Sequence, residues 1–213
     1  MKSILFLTLS FNLLLSQTFV YECQSYKTFT KETSASQTAT ASFVLQLKDD
    51  KAWLFSNEIS TSLERVVSVS GEKYEKDGTV FWSHGYEAML DTPNTSYRLC
   101  SNNRYKAVWE DAKLRGNDFR AIGNEPGWYL EIGEGGKKSF LVTDYGKQKY
   151  ELRLPRPFGS KLSRTTRYKI QGFLDITIEG KTCIDSMTGH RYSSKVTVKI
   201  DGKKYRGCGK ALH

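Results

Sequence analysis

Residues 43–55 read Phe43-Val44-Leu45-Gln46-Leu47-Lys48-Asp49-Asp50-Lys51-Ala52-Trp53-Leu54-Phe55. Two short apolar runs flank the dipeptide Asp49-Asp50. β-Branched and aromatic residues suit a half-buried pleated strand, and adjacent short polar residues suit a turn. The same grammar continues at residues 66–69 and 80–82, punctuated by Asp77-Gly78 and Pro93-Asn94. In the second half it returns at 127–132, 139–143, 150–154, 174–178 and 195–200. Asp201-Gly202 then gives a two-residue hairpin signal before 203–206. Gly133-Glu134-Gly135-Gly136 lacks the strand–helix context of a phosphate loop and reads as a hairpin turn. Only residues 107–113 are compatible with a helix, and residues 34–42, rich in Ser, Thr and Ala, read as a loop or a weak edge strand. The pattern predicts an all-β chain with a barrel or sandwich in each half. No repeat relates the halves.

The N-terminus predicts export. Lys2 precedes an apolar run over residues 4–15, and the small Ser16 suits a cleavage position. This is the plan of a signal peptide over residues 1–16, too short for a membrane span. Val20, Tyr21 and Glu22 before Cys23 argue against lipid anchoring, and no later run approaches ~18 apolar residues, so no transmembrane segment is expected. A periplasmic or secreted location follows.

In an oxidising compartment four cysteines without C-x-x-C spacing favour disulfides. Three connectivities exist. Pairing Cys23 with Cys100 and Cys183 with Cys208 gives two independently closed domains, each stabilised by roughly 3–5 kcal/mol in the chain-entropy account. The expected layout is a first domain over 17–103, a linker over 104–117 and a second domain over 118–213. Charge divides along the same line. Residues 17–103 hold 8 Lys and Arg against 11 Asp and Glu; residues 104–213 hold 23 against 12. An acidic first half suits a basic protein partner, and a basic second half suits an anionic envelope surface or simply serves solubility.

Catalysis finds little support. The three histidines, His84, His190 and His213, form no metal-binding spacing, so neither a metal nor another cofactor is expected. Asp185, Ser186 and His190 are too close in sequence, and too far from a nucleophile elbow, to predict a hydrolytic triad. Single-stranded nucleic acid could suit the basic, aromatic-bearing second half, but export argues against it. Residues 70–85 carry the most information. They read as a loop, a short hairpin and a second loop, bringing Ser70-Gly71 beside His84-Gly85, with glycines that permit close approach. The plainer alternative is two hairpin corners with Tyr74 and Trp82 in the core.

Ser70-Gly71-x-x-Tyr74, followed by Phe81-Trp82-x-x-Gly85-x-Glu87-Ala88, lies between Tyr21-x-Cys23 and Tyr97-x-x-Cys100. The order and spacing over residues 20–103 resemble the MliC/PliC family of inhibitors of c-type lysozyme. The resemblance implies an eight-stranded antiparallel barrel closed by Cys23–Cys100, with two loops entering the lysozyme cleft. Ser70, Gly71, Tyr74, Ser83, His84 and Gly85 would then form the lysozyme-binding set. Lysozyme cleaves with two carboxyl groups, one protonated and one ionised. A plug for that site needs a hydroxyl to bond both and a cation for the ionised one. Ser70 matches the family's serine. His84 stands where the family carries lysine, and histidine is shorter and gains charge only as pH falls. The resemblance therefore implies inhibition that strengthens from about pH 8 to pH 6. The alternative is a non-enzymatic envelope-binding module without strong inhibition.

The second half carries Phe119-Arg120-Ala121-Ile122-Gly123-Asn124-Glu125-Pro126-Gly127-Trp128, Cys183-Ile184-Asp185-Ser186-Met187-Thr188-Gly189 and Tyr205-Arg206-Gly207-Cys208-Gly209. It resembles a family of exported bacterial proteins with no assigned activity. Glu125, Pro126 and Trp128 could meet a ligand, but a rigid strand start with Trp128 buried fits the residues better.

Overall fold

The computed structural model describes residues 16–29, 34–37 and 41–213. The expected signal peptide lies outside the described residues apart from Ser16. Contacts divide the chain into two compact units, the first ending at Val108 and the second beginning at Trp109.

The first unit holds β1 (Gln17–Phe29), β2 (Ser34–Gln37), β3 (Ala41–Lys48), β4 (Lys51–Phe55), β5 (Ser60–Val66), β6 (Glu72–Lys76), β7 (Thr79–His84), β8 (Glu87–Asp91) and β9 (Thr95–Asn102). β1 and β3 to β9 form a closed antiparallel ring of eight strands, because β9 returns to pair with β1. β2 pairs with the far end of β1. Asp49 and Asp50, and Asp77 and Gly78, all have positive φ, the conformation that matches a two-residue turn to strand twist. Alternation then sorts the side chains. On β7, Thr79 and Phe81 point into the barrel, whereas Val80, Trp82 and His84 face outward. Tyr21, Phe43 and Phe81 pack at the centre, with ring centroids 5.3 and 5.4 Å from Tyr21. Cys23 and Cys100 are directly opposed in the β1–β9 register and form a disulfide.

One expected strand is corrected. Of residues 66–69, only Val66 belongs to a strand, since β5–β6 pairing stops at Val66↔Lys73. Without a partner strand, β-propensity alone does not extend β5, and residues 67–71 form a loop.

Residues 104–117 carry a helix, α1 (Arg104–Leu114). The Asn103 side chain caps it by accepting from the Lys106 N–H at 3.0 Å, and Gly116, at φ 81°, ends it in the left-handed conformation.

The second unit continues with β10 (Asn117–Asn124), β11 (Gly127–Gly133), β12 (Lys138–Thr143), β13 (Gln148–Arg153), β14 (Phe158–Ser160), β15 (Thr165–Ile170), β16 (Leu174–Glu179), β17 (Cys183–Ile184), β18 (Arg191–Tyr192), β19 (Ser194–Ile200) and β20 (Lys203–Ala211). Nine of these form one curled antiparallel sheet in the order β13-β12-β11-β10-β20-β19-β16-β15-β14, while β17 and β18 pair separately. Leu130, Leu141, Ile176 and Val198 are fully buried in its core. The Cys183–Cys208 disulfide joins β17 to β20. No free cysteine is left among the described residues, as an oxidising compartment favours.

This unit also buries a charge. Glu131 on β11 is 1% exposed and stands opposite Arg120 on β10. Arg115 donates to both of its carboxylate oxygens at 2.8 and 2.9 Å, and Arg120 donates as well. Burial disfavours the Arg120 guanidinium and lowers its pKa, opposed by Glu131, while the hydrogen bonds to Glu131 raise that of Arg115. Arg120 also lies 4.7 Å from the Tyr129 ring centroid and 5.7 Å from that of Trp109. Among the described residues no helix is long and apolar enough to cross a membrane.

Candidate functional site

The β5–β6 loop and the β7–β8 turn meet at one end of the barrel. The β6–β7 register, ending at Glu72↔Ser83, sets Gly71 beside Ser83 and His84. A Cβ placed on Gly71 would lie 2.1 Å from the Ser83 carbonyl oxygen and 3.1 Å from the His84 Cβ. Gly71 also has φ 70° and Gly85 φ 62°. Glycine permits both the backbone turn and the contact.

The Ser70 carbonyl is fixed by two donors, the Trp82 indole N–H at 3.0 Å and the Ser68 hydroxyl. Trp82 and His84, two residues apart on the outer face of β7, stack with centroids 5.9 Å apart and planes 13° from parallel. The rings thus brace the loop from outside the barrel. Ser70 and His84 are exposed, and neither the hydroxyl nor the imidazole bonds a described residue. Glu87, the cross-strand partner of His84, is the acidic residue directly opposite.

Ser70, Gly71, Ser83, His84 and Gly85 therefore come together. Tyr74 does not join them at the surface. It points inward on β6, is 4% exposed and packs on Phe81, and burial together with Glu72 raises its phenol pKa. Its place in the binding set is corrected to one in the core, because strand alternation turns position 74 inward. Trp82, by contrast, is on the outer face and not in the core. Three residues escaped the sequence reading: Val67, Val69 and Tyr86 flank Ser70 and His84 and are 100%, 108% and 89% exposed. These three apolar side chains stand on two adjoining loops. The signal available was the β-branched run at 66–69, which points equally to a strand.

In the second unit, Asp185 is buried and its carboxylate accepts from the Met187 and Thr188 N–H groups, at 2.8 and 2.9 Å, and from the Asn124 amide at 3.1 Å. Burial opposes its charge, yet these hydrogen bonds together hold the carboxyl below the ordinary carboxylate range. The group thus serves as a local clasp. Trp128 is buried and donates to the Arg206 carbonyl at 3.1 Å. Asp185→Ala is expected to remove about 1–3 kcal/mol of local stability, read as faster amide exchange at Met187 and Thr188. The folded pKa is depressed. The clasp is therefore complete above the unfolded value near ~3.9 and is lost as pH falls through the lower folded value. Protection of the Met187 and Thr188 amides, relative to intrinsic exchange, that does not change on acidification would show that the carboxylate is not the clasp.

Residues 21–98 match a family described as membrane-bound lysozyme-inhibitor of c-type lysozyme, MliC. The matched stretch lies wholly within the first unit and contains both loops. No curated protein and no solved structure matches the chain.

Proposed function

We propose that the first unit inhibits a c-type lysozyme by inserting the Ser70 and His84 loops into the active-site cleft, so protecting peptidoglycan. The observation that carries this reading is the convergence of the two loops at one end of a barrel whose sequence matches an inhibitor family. The Ser70 hydroxyl meets the paired carboxyls of the enzyme, and the His84 imidazole faces the ionised one. Val67, Val69 and Tyr86 supply the apolar contact around them. The acidic balance of residues 17–103 speeds encounter with a basic enzyme. Export places the protein in the periplasm or outside the cell, where the basic second unit meets anionic envelope surfaces.

The test is lysis of cell-wall suspensions by purified c-type lysozyme. Ser70→Ala is expected to weaken inhibition roughly 10- to 100-fold, the range for one lost hydrogen bond to a charged group. His84→Lys, which restores a longer permanent cation, is expected to tighten it. Absence of inhibition by the unmodified protein anywhere from about pH 5 to 8, the span over which a histidine changes charge, would leave the envelope-binding alternative in its place.

A further inference from the structure

The three sequence motifs of the second unit converge on one cleft of about 470 Å³, within the ~300–1,000 Å³ typical of small-molecule sites. One wall is the outer face of β19 and β20. The other is formed by Glu125, from the β10–β11 turn, and by Ser186, beyond β17.

Both walls are fixed before any ligand arrives. The disulfide ties the 183–186 segment to the sheet, and the Asp185 clasp ties it to Asn124. A Cβ on Gly207 would lie 1.9 Å from the Ile122 carbonyl, and one on Gly123 would lie 2.1 Å from the Trp128 indole nitrogen. The floor is therefore packed tight. Preorganisation of this kind lowers the ordering cost of binding.

Charge indicates the ligand. Thr197 and Arg206 are directly opposed across β19 and β20, and Lys195 lies two residues from Thr197 on the same face. A hydroxyl and two cations thus occupy adjoining positions, with Lys195 and Arg206 on a diagonal of roughly 7–8 Å. Among the acidic residues lining the cleft, Asp185 accepts three hydrogen bonds on one carboxylate oxygen and Glu179 pairs with Lys181 at 2.8 Å. Glu125 and Arg206 form no ion pair among the described residues; Lys195 stands opposite Glu179, whose carboxyl is held low by Lys181 and, more weakly, by Lys195. Next along the same face, Lys199 and Lys204 stand opposite one another and add to the positive field.

We propose that this cleft binds a small phosphorylated polyol or sugar, with its phosphate on Lys195, Thr197 and Arg206 and its hydroxyls on Glu125 and Ser186. Two cations and a hydroxyl match the charge and the several acceptor oxygens of a phosphate monoester. A lone carboxylate on the far wall accepts from hydroxyl donors. The inference is independent of lysozyme inhibition.

Calorimetric or NMR titration of the intact protein with glucose 1-phosphate tests it. Binding is expected at sub-millimolar Kd, at least about tenfold tighter than inorganic phosphate and with no binding of glucose, since both ends contribute. Arg206→Gln and Lys195→Gln, both at exposed positions, should each weaken binding about tenfold or more while leaving the melting temperature unchanged. Glu125→Gln should weaken the sugar ester but not inorganic phosphate. Vesicles containing phosphatidic acid separate a lipid headgroup from a soluble ester. Failure of glucose 1-phosphate to bind, equal binding by Arg206→Gln, or binding to vesicles alone would each overturn the proposal.

Discussion

Glu131→Ala is expected to unfold the second unit far below the melting temperature of the unmodified protein. Removing the carboxylate leaves Arg120 buried without a counter-charge and deprives Arg115 of its bidentate partner. Breaking one side of a buried ion pair costs about 3–5 kcal/mol. For a unit of this size that corresponds to a fall of roughly 15 °C or more. Arg115→Ala is the milder change, because that side chain is 44% exposed and water replaces much of what is lost. Calorimetry checks both. The ordering matters more than either value: an Arg115 variant less stable than the Glu131 variant would contradict the account. Joint replacement of Arg120 and Glu131 by apolar residues of similar volume should recover much of the loss, since it removes the unpaired charge as well as the pair.

If the first unit acts as proposed, Gly71→Ala weakens inhibition sharply while preserving the barrel. The new Cβ would sit 2.1 Å from the Ser83 carbonyl oxygen, with a backbone φ that costs an L-residue roughly 1–2 kcal/mol. The atom in the way is backbone, so relief requires the β5–β6 loop to move from the β7–β8 turn. Ser70 and His84 then no longer present one surface. An increase of about 100-fold or more in the inhibition constant, equivalent to ~2.7 kcal/mol, is expected. Far-UV circular dichroism should be unchanged, because the affected residues lie beyond the strand pairs. Gly85→Ala is the informative companion. Nothing lies within 4 Å of a Cβ there, so only the φ 62° strain applies and a smaller loss follows. Equal losses at both positions would mean that loop-to-turn contact is not what shapes the surface.

The fold was legible where local chemistry and tertiary pairing agree. Asp49-Asp50, Asp77-Gly78 and Asp201-Gly202 all form turns with positive φ between paired strands. The closing of β9 on β1 became legible only through the family resemblance, because ring closure depends on residues about 77 positions apart. At the candidate site, the meeting of Ser70-Gly71 with His84-Gly85 could be read from hairpin length. The outward face of Trp82 could not, since a tryptophan in a β-rich run is compatible with either side of the pleat. Val67 and Val69 misled for the opposite reason. Their preference for strands is real, but among the described residues no strand pairs with them to satisfy the backbone there. Nothing in the sequence pairs Glu131 with both arginines or brings Glu125 to the cleft bearing Lys195 and Arg206, because those contacts depend on sheet register and curl.

The two sheets also differ in their exposure to self-association. In the eight-stranded ring every strand has two neighbours, which leaves the four-residue β2 as the one terminal strand of that sheet among the described residues. The second sheet ends at β13 and β14, and each margin carries a deterrent. Exposed Lys149 and Arg153 place charge along β13, while β14 is three residues long and directly follows Pro157. Neutralising Lys149 and Arg153 would therefore do more to promote fibrillar aggregation than any comparable change on the barrel, and the second unit would be where such growth begins.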